Sequence, residues 1–555
     1  MNEETARANV QGAYLGWGVG RRVAQEPSRA GLWLRAQRGV WHTARPRPRC
    51  RRSALALLGA VAVASTPASS GAQSDVAFPP ATYAARRAAL TRLTGDAAIV
   101  VPGRYMVSPG DEPIKQDPNF WYLTGVESPF AVLLMVPEHG TAGSSVGALR
   151  WHSYLFLPER FQFAGGQFPM ADSRFRDAPW NRPPARLFPG ETAQRVTGVD
   201  AVFPIDSFVP RFRELAADSK TLFVPIDGAL YAPPGLGELS PFADEFAARL
   251  AAIAPNAERK DLSPLIGRLR AVKDSLEVAA LRQAAKVSGD GMIEMMRAVR
   301  PGMNDREVAG LMEYVWKREG SPRASFTPIV SSGTDAMTLF TLQRERYNAV
   351  NRVMRAGDLL FVDYGAAEWM MYGSDLCRTV PVSGRFTPQQ RKYYDIVLEA
   401  QEAAIAAVQP GVMMVDVIKA AARVFQAHGL EPNEDIDRMG IDHVWGIMPS
   451  PTHYLTRNAG VTRYSAAGFG VRDLGHAVGL EATDGRDWSR PLEAGMVITV
   501  EPKLYIPDEQ IAIMIEDEIL VTPSGHENLS AHVPKRAADV ERAMAAGRRT
   551  GSTRR

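Results

Sequence analysis

The sequence predicts a protein of two α/β domains, the second of α+β character, and three observations carry that prediction. At 555 residues the chain is too long for a single hydrophobic core. Between residues 76 and 256 short apolar runs alternate with helical patterns, the signature of an α/β domain. From residue 260 the pattern changes to long amphipathic stretches followed by strand-like runs that carry acids. The composition, 45% hydrophobic and 23% charged, is that of an ordinary globular protein. No apolar run reaches the roughly 18 residues of a membrane span, which excludes a multi-spanning membrane protein.

Taken in order, residues 1–72 form a leader. Arg45, Arg47, Arg49, Arg51 and Arg52 precede an apolar run at 54–64, and small residues continue through Ser70-Gly71-Ala72. This segment reads as a signal peptide cleaved near Ala72, so export to the periplasm or the exterior is expected, with no membrane association beyond the leader. The leader also biases the formal charge of +3: it holds 11 of the 64 Lys and Arg but only 3 of the 61 Asp and Glu. The remainder carries 53 basic against 58 acidic residues, which removes any composition argument for a nucleic-acid partner. Of the two cysteines, Cys50 falls in the leader, so Cys377 stands alone beyond it and no disulfide framework is possible there.

The first domain, 76–256, contains apolar runs at 98–101 and 131–135 that read as strands. In the second domain, 260–540, residues 275–299 have apolar positions at helical spacing and stop at Arg300-Pro301-Gly302. Asn304 can cap a following helix that runs to about Arg318. Two more helices are expected at 388–408 and 414–428. The last folded element is placed near Val533, leaving residues 541–555 as a flexible basic tail.

Chemistry concentrates in the second domain. Asp363 ends the run Leu359-Leu360-Phe361-Val362, and Asp375 precedes Leu376-Cys377-Arg378-Thr379-Val380. Strand propensity disfavours Asp in such places. On one continuous strand the two carboxylates would stand roughly 40 Å apart, whereas a hairpin turning between Gly365 and Gly373 brings them side by side. By itself this pair reads equally well as two acids at strand ends. The device recurs, however: Glu501 ends Met496-Val497-Ile498-Thr499-Val500, and Glu516 ends Ile511-Ala512-Ile513-Met514-Ile515. Between the pairs lies His476, in the small-residue setting Leu474-Gly475-His476-Ala477-Val478-Gly479. Alone, that histidine reads as a satisfied core residue. Four converging carboxylates would force one another to protonate unless positive charge were supplied, and two divalent cations supply it. A donor set rich in oxygen with one imidazole suits Mn²⁺ and tolerates Co²⁺, Zn²⁺ or Fe²⁺, while the absence of thiolates argues against structural zinc. Two such ions generate a nucleophile at neutral pH and polarise the carbonyl it attacks.

The ordered set Asp363, Asp375, His476, Glu501, Glu516, with its flanks, resembles the aminopeptidase P, prolidase and methionine aminopeptidase superfamily, whose catalytic domain has the pita-bread fold. The likeness extends to Arg378-Thr379-Val380-Pro381-Val382-Ser383-Gly384, to Leu492-Glu493-Ala494-Gly495-Met496 and to Glu527-Asn528-Leu529-Ser530. Upstream it takes in Leu269-Arg270-Ala271-Val272-Lys273 and Pro328-Ile329-Val330-Ser331-Ser332-Gly333. In the first domain Tyr83-Ala84-Ala85-Arg86-Arg87 and Asn119-Phe120-Trp121-Tyr122-Leu123-Thr124-Gly125 resemble the amino-terminal domain of aminopeptidase P, which methionine aminopeptidases lack. The resemblance implies that Asp363 binds one ion, that Asp375 and Glu516 bridge two, and that His476 and Glu501 complete the second site.

It further implies a peptide substrate with proline in the second position, Glu501 moving the proton, and a homo-oligomer, dimer or tetramer. Departures fall around the ligands. Positions where the family carries substrate-contacting histidines are here Phe340, Arg472 and Thr483, and a family arginine corresponds to Met514. Loss of one oxyanion donor costs about 10²- to 10³-fold in rate. His443 or His453 could enter the site from a long preceding segment. A prolidase-like dipeptidase, or another amide hydrolase, is the alternative if Arg472 captures a substrate carboxylate. A metal-binding but catalytically impaired peptide-binding homologue is another, motivated by the replaced histidines. Cys377 lacks a positioned base and is a poor nucleophile candidate.

Overall fold

The computed structural model describes residues 77–104, 115–138, 149–159, 187–216, 219–226, 242–338, 351–430, 474–485 and 488–552, with strand segments at 162–163, 166–167 and 468–470. The leader lies outside the described residues.

The amino-terminal half is built on a mixed sheet. Its strands are β1 (Ala98–Pro102), β2 (Val132–Pro137), β3 (Trp151–Leu157), β6 (Ala201–Pro204), β7 (Thr221–Val224) and β8 (Glu258–Asp261), in the order β6-β3-β2-β1-β7-β8. The small β4 (Gln162–Phe163) and β5 (Gly166–Gln167) pair with each other. β1 is buried along its whole length, which is why Ala98-Ile99-Val100-Val101 is apolar without alternation. Helices α1 (Pro80–Thr94), α2 (Pro118–Thr124), α3 (Glu191–Thr197), α4 (Phe208–Leu215) and α5 (Phe242–Ile253) accompany this sheet. β8 pairs in parallel with β7, so the first sheet continues to Asp261, past the boundary of 256 expected from the sequence. The exposed, charged Glu258-Arg259-Lys260 hid it, because an edge strand need not be apolar.

Helix α6 (Ser263–Ala271) leads into α7 (Ser275–Ala298). Asp274 and Glu277 form a reciprocal capping box at the start of α7, and Asn304 with Glu307 does the same for α8 (Asp305–Arg318). Thr387 and Gln390 cap α9 (Pro388–Ala407), whose Pro388 takes the first-turn position that needs no amide hydrogen. α10 (Met414–Ala427) packs against α9.

The second sheet runs β14-β16-β17-β13-β10-β9, formed by β9 (Ile329–Ser332), β10 (Leu359–Asp363), β13 (Cys377–Pro381), β14 (Gly468–Gly470), β16 (Lys503–Ile506) and the long β17 (Ile511–Thr522). β15 (Val497–Val500) and β18 (Gly525–Asn528) pair with the far half of β17. Every pairing in this sheet is antiparallel. Between β10 and β13 the chain reverses through β11 (Glu368–Trp369) and β12 (Tyr372–Gly373), with Met370 and Met371 both at positive φ. The expected hairpin is therefore present, and its tightest point falls on two methionines rather than on a glycine.

The carboxyl terminus corrects the expected flexible tail. Residues Ala537–Ser552 form helix α11, with Val540 and Met544 buried in the core that α7 and α8 line. At Gly547 a side chain would collide with the Arg297 carbonyl, so α11 docks tightly on the end of α7. The Arg-rich composition suggested a solvated end, but the segment is an amphipathic helix, with Arg542 exposed while Val540 and Met544 are buried.

The two halves share a core. Phe78, Tyr83 and Trp121 pack with Tyr372, Leu281 and Val478, and the Trp121 and Tyr372 ring centroids lie 5.8 Å apart. Arg86 bridges to Asp274 at 3.0 Å and Glu277 at 3.3 Å. No helix among the described residues is long and apolar enough to cross a membrane.

Candidate metal centre

Ladder register places the acids. Asp363 closes β10 and stands opposite Cys377 of β13, and Cys377 in turn stands opposite Glu516 of β17. Directly opposed residues project to the same face, so Asp363 and Glu516 flank the small Cys377 side chain. Asp375, two residues before Cys377, has the same parity. On β17, Val500 opposes Asp517 and Lys503 opposes Met514. One register therefore runs through β15 and β16, and it sets Glu501 level with Glu516. Pro502, which has no amide hydrogen to give, interrupts the ladder beside Glu501.

His476 arrives from a loop stitched to β15. Its amide donates to Thr499 Oγ1 at 3.0 Å, and its carbonyl accepts from the Thr499 amide at 2.8 Å. Gly475 is required there, because a side chain would strike the Thr499 carbonyl. Nδ1 lies 3.2 Å from the Ala477 carbonyl, which fixes the tautomer with Nδ1–H donating. Nε2 is thereby turned toward the acids, 3.3 Å from Asp375 Oδ2 and 3.6 Å from Glu501 Oε1. Asp375 is held by its own amide, which donates to Glu518 Oε1 at 2.5 Å.

All five residues are at most 8% exposed. Burial pushes the Asp363 and Glu516 carboxyls well above the usual carboxylate range, and the charges of neighbouring Asp375 and Glu501 add to the effect. Burial also raises Asp375, though the imidazole of His476 opposes it. For His476 burial is the largest effect and acts downward, but the hydrogen bond and charge of Asp375, together with Glu501 and the Ala477 carbonyl, hold the ring above its ordinary value. This is an acidic cluster short of positive charge. Asp375 Oδ1 and Glu516 Oε2 are buried with no hydrogen-bond partner among the described residues. One ligand atom from each of Asp375, His476 and Glu516 can be chosen so that all lie within 4.8 Å of one another. Orphaned carboxylate oxygens around an imidazole with its other nitrogen already satisfied fit a divalent cation.

Of the five sequence-predicted ligands, Asp375, His476 and Glu516 offer atoms within 4.8 Å of one another, Glu501 Oε1 lies 3.6 Å from His476, and Asp363 stands across Cys377 from Glu516. Thr483 is half-buried beside Asp484, whose amide bonds Ala477 of the histidine loop at 2.8 Å. Asp484 itself is clasped by Arg270 and Lys273, whose charges outweigh burial and hold its carboxyl below the usual range. Phe340, Arg472, His443 and His453 lie outside the described residues. Cys377 is fully buried, and burial raises its thiol well above the ordinary value, which agrees with its being no nucleophile. Two polar neighbours escaped the sequence reading, Glu518 behind Asp375 and Lys503 beside Glu501. Parity along β16 and β17 was the available signal, since 501, 503, 514 and 516 share a face only once the register is known.

Comparison with known proteins agrees with this geometry. Residues 279–523 match metallopeptidase family M24, and residues 83–223 match the aminopeptidase P N-terminal domain. The chain is 30% identical over 494 residues to Xaa-Pro aminopeptidase 2 of Streptomyces coelicolor, covering 84% of this chain and 91% of that one. It is 29% identical over 478 residues to Xaa-Pro aminopeptidase of Escherichia coli, covering 82% and 95%. Among solved structures, the low-pH form of Escherichia coli aminopeptidase P superposes with a TM-score of 0.65 at 26% identity, over 85% of this chain and 99% of that one. With both domains matched and the acids gathered in one buried cluster, the chain belongs to the aminopeptidase P family and is a metal-dependent peptidase.

Proposed function

We propose that this protein removes the amino-terminal residue from peptides with proline in the second position, using two divalent ions, Mn²⁺ first among them, held by Asp363, Asp375, His476, Glu501 and Glu516. The observation that carries the reading is that Asp375 and Glu516 each bury a carboxylate oxygen with no hydrogen-bond partner among the described residues and, with His476, offer ligand atoms within 4.8 Å of one another. Relatives named Xaa-Pro aminopeptidase support the choice of substrate. When bound, the ions supply a nucleophile at neutral pH and polarise the scissile carbonyl. The chain's own residues do the rest. Asp363 and Glu516 hold opposite walls of the site across Cys377, and Ala477 and Asp375 hold the imidazole between them. Glu501 accepts a proton from the attacking water and returns it to the leaving amine. Burial excludes bulk water, so these charges act at short range in a weakly screened setting.

The proposal also has the protein exported through the segment at 45–72 and assembled as a dimer or tetramer. It is tested by hydrolysis of an Xaa-Pro tripeptide with Mn²⁺-loaded protein, a chelated control and metal content measured on the same sample. Chelator-sensitive release of the first amino acid is expected. Turnover that survives complete removal of metal, or cleavage restricted to dipeptides, would overturn it.

A further inference from the structure

Lys503 opens β16 two residues after Glu501, and its side chain is only 6% exposed. Its Nζ lies 2.8 Å from Glu501 Oε2. The other oxygen of the same carboxylate, Oε1, is the one that faces His476 at 3.6 Å. Lys503 thus ties one oxygen of the Glu501 carboxylate, while the other faces the imidazole and accepts from Thr499 Oγ1 at 3.4 Å. Across the ladder it stands opposite Met514, on the face that also carries Glu516. The rest of this strand is Leu504, Tyr505 and Ile506, so packing gives no reason for a lysine, and a buried ammonium is costly unless an acid pairs with it.

We propose that Lys503 is a positioning residue of the metal centre, a built-in counter-cation that holds Glu501 by one oxygen. The inference rests on the metallopeptidase reading of the site. In the ion-free protein the ammonium offsets part of the repulsion among four carboxylates. A divalent cation entering the cluster meets that same ammonium as a like charge. Lys503 therefore stabilises the ion-free fold and weakens ion binding, a combination that distinguishes it from an ordinary packing residue.

The experiment uses the full chain, stripped of metal and titrated with Mn²⁺ by calorimetry, with thermal melts in parallel, for wild type, Lys503→Met and Lys503→Arg. Lys503→Met is expected to bind its weaker Mn²⁺ about tenfold tighter and to melt lower when ion-free, because a single like charge has been removed at close range. Lys503→Arg is expected to follow wild type in both. A packing defect would loosen Mn²⁺ binding, so unchanged or weaker binding by Lys503→Met overturns the proposal. Should Lys503→Met fail to fold, Lys503→Gln is read by the same two outcomes. Glu516→Ala separates the layers of inference. If it binds Mn²⁺ like wild type, the metal-centre reading itself fails; if it loses Mn²⁺ while Lys503→Met is unchanged, only the role of Lys503 fails.

Discussion

Glu516 and Asp517 are neighbours on β17, both essentially inaccessible to solvent, and they live in opposite electrostatic worlds. Asp517, on one face, accepts from Arg378, Lys535, Gln401, Asn528 and Ser530. Burial pushes its carboxyl up, but the charges and donors around it win and hold it well below the usual range. Glu516, on the other face, is surrounded by further acids, has one oxygen without a partner among the described residues and is driven well above its ordinary value. Arg378 even serves both: its guanidinium pairs with the Asp517 side chain and donates to the Glu516 carbonyl. The difference teaches that burial alone does not say what a carboxylate is for. A buried acid with all its partners supplied by the chain is scaffold; one whose partners the chain withholds is waiting for something the chain does not encode.

The comparison can be broken in several places. The largest effect is expected at Glu516→Ala, where chelator-sensitive turnover should fall by about 10²-fold or more with loss of bound metal. The ion-free melting temperature of that variant should stay level or rise, since a repulsive charge has gone. A clear drop in ion-free stability would place Glu516 with the scaffold instead. Asp517→Ala should do the reverse, costing about 3–5 kcal/mol in chemical denaturation by stranding the buried Arg378. Its folded fraction should still bind metal. Next, Mn²⁺ at about 100 times its dissociation constant should stabilise the wild type by about 2.7 kcal/mol and should leave Glu516→Ala unmoved.

Asp305 offers a smaller and sharper test. It is buried at the start of α8, one of its oxygens lacks a partner among the described residues, and burial raises its carboxyl to about 6. Unfolded, it titrates near the reference value of about 3.9. Between those values the native state holds a proton that the unfolded state has released, so stability present below about pH 4 is lost as pH rises to about 6. The loss should amount to about 3 kcal/mol at most, read from urea midpoints across that window, and Asp305→Asn should flatten it. Asp517 acts with the opposite sign, its contribution being lost as pH falls below about 4. A Asp305→Asn profile identical to wild type would show that this acid, like Asp517, is fully compensated.

Much of the candidate site was legible because strands tolerate acids poorly. Asp363, Asp375, Glu501 and Glu516 each interrupt or end an apolar run, and the repetition of that offence in two hairpins outweighed the bland reading of any one of them. The helices announced themselves through caps, with Asn304 and the stop after residue 299 read correctly. The edge strand β8 and the terminal helix α11 were not legible, for a shared reason. Both are half-exposed and charged, and their burial depends on partners far away in sequence, β7 for one and α7 for the other. The place of Lys503 among the carboxylates was hidden for another reason, since nothing local to Lys503-Leu504-Tyr505-Ile506 reveals which residue stands across from it.

By itself, then, the sequence determined the two-domain α/β architecture, the capped helices and the identity of five convergent polar residues, because each is written in local pattern and in side-chain chemistry that an apolar strand does not want. Only the tertiary structure decided which oxygen of Glu501 faces inward, which donors and cations gather around Asp517, and that a lysine stands among the carboxylates. Those outcomes depend on ladder register, and register is a property of strands brought together from more than a hundred residues apart.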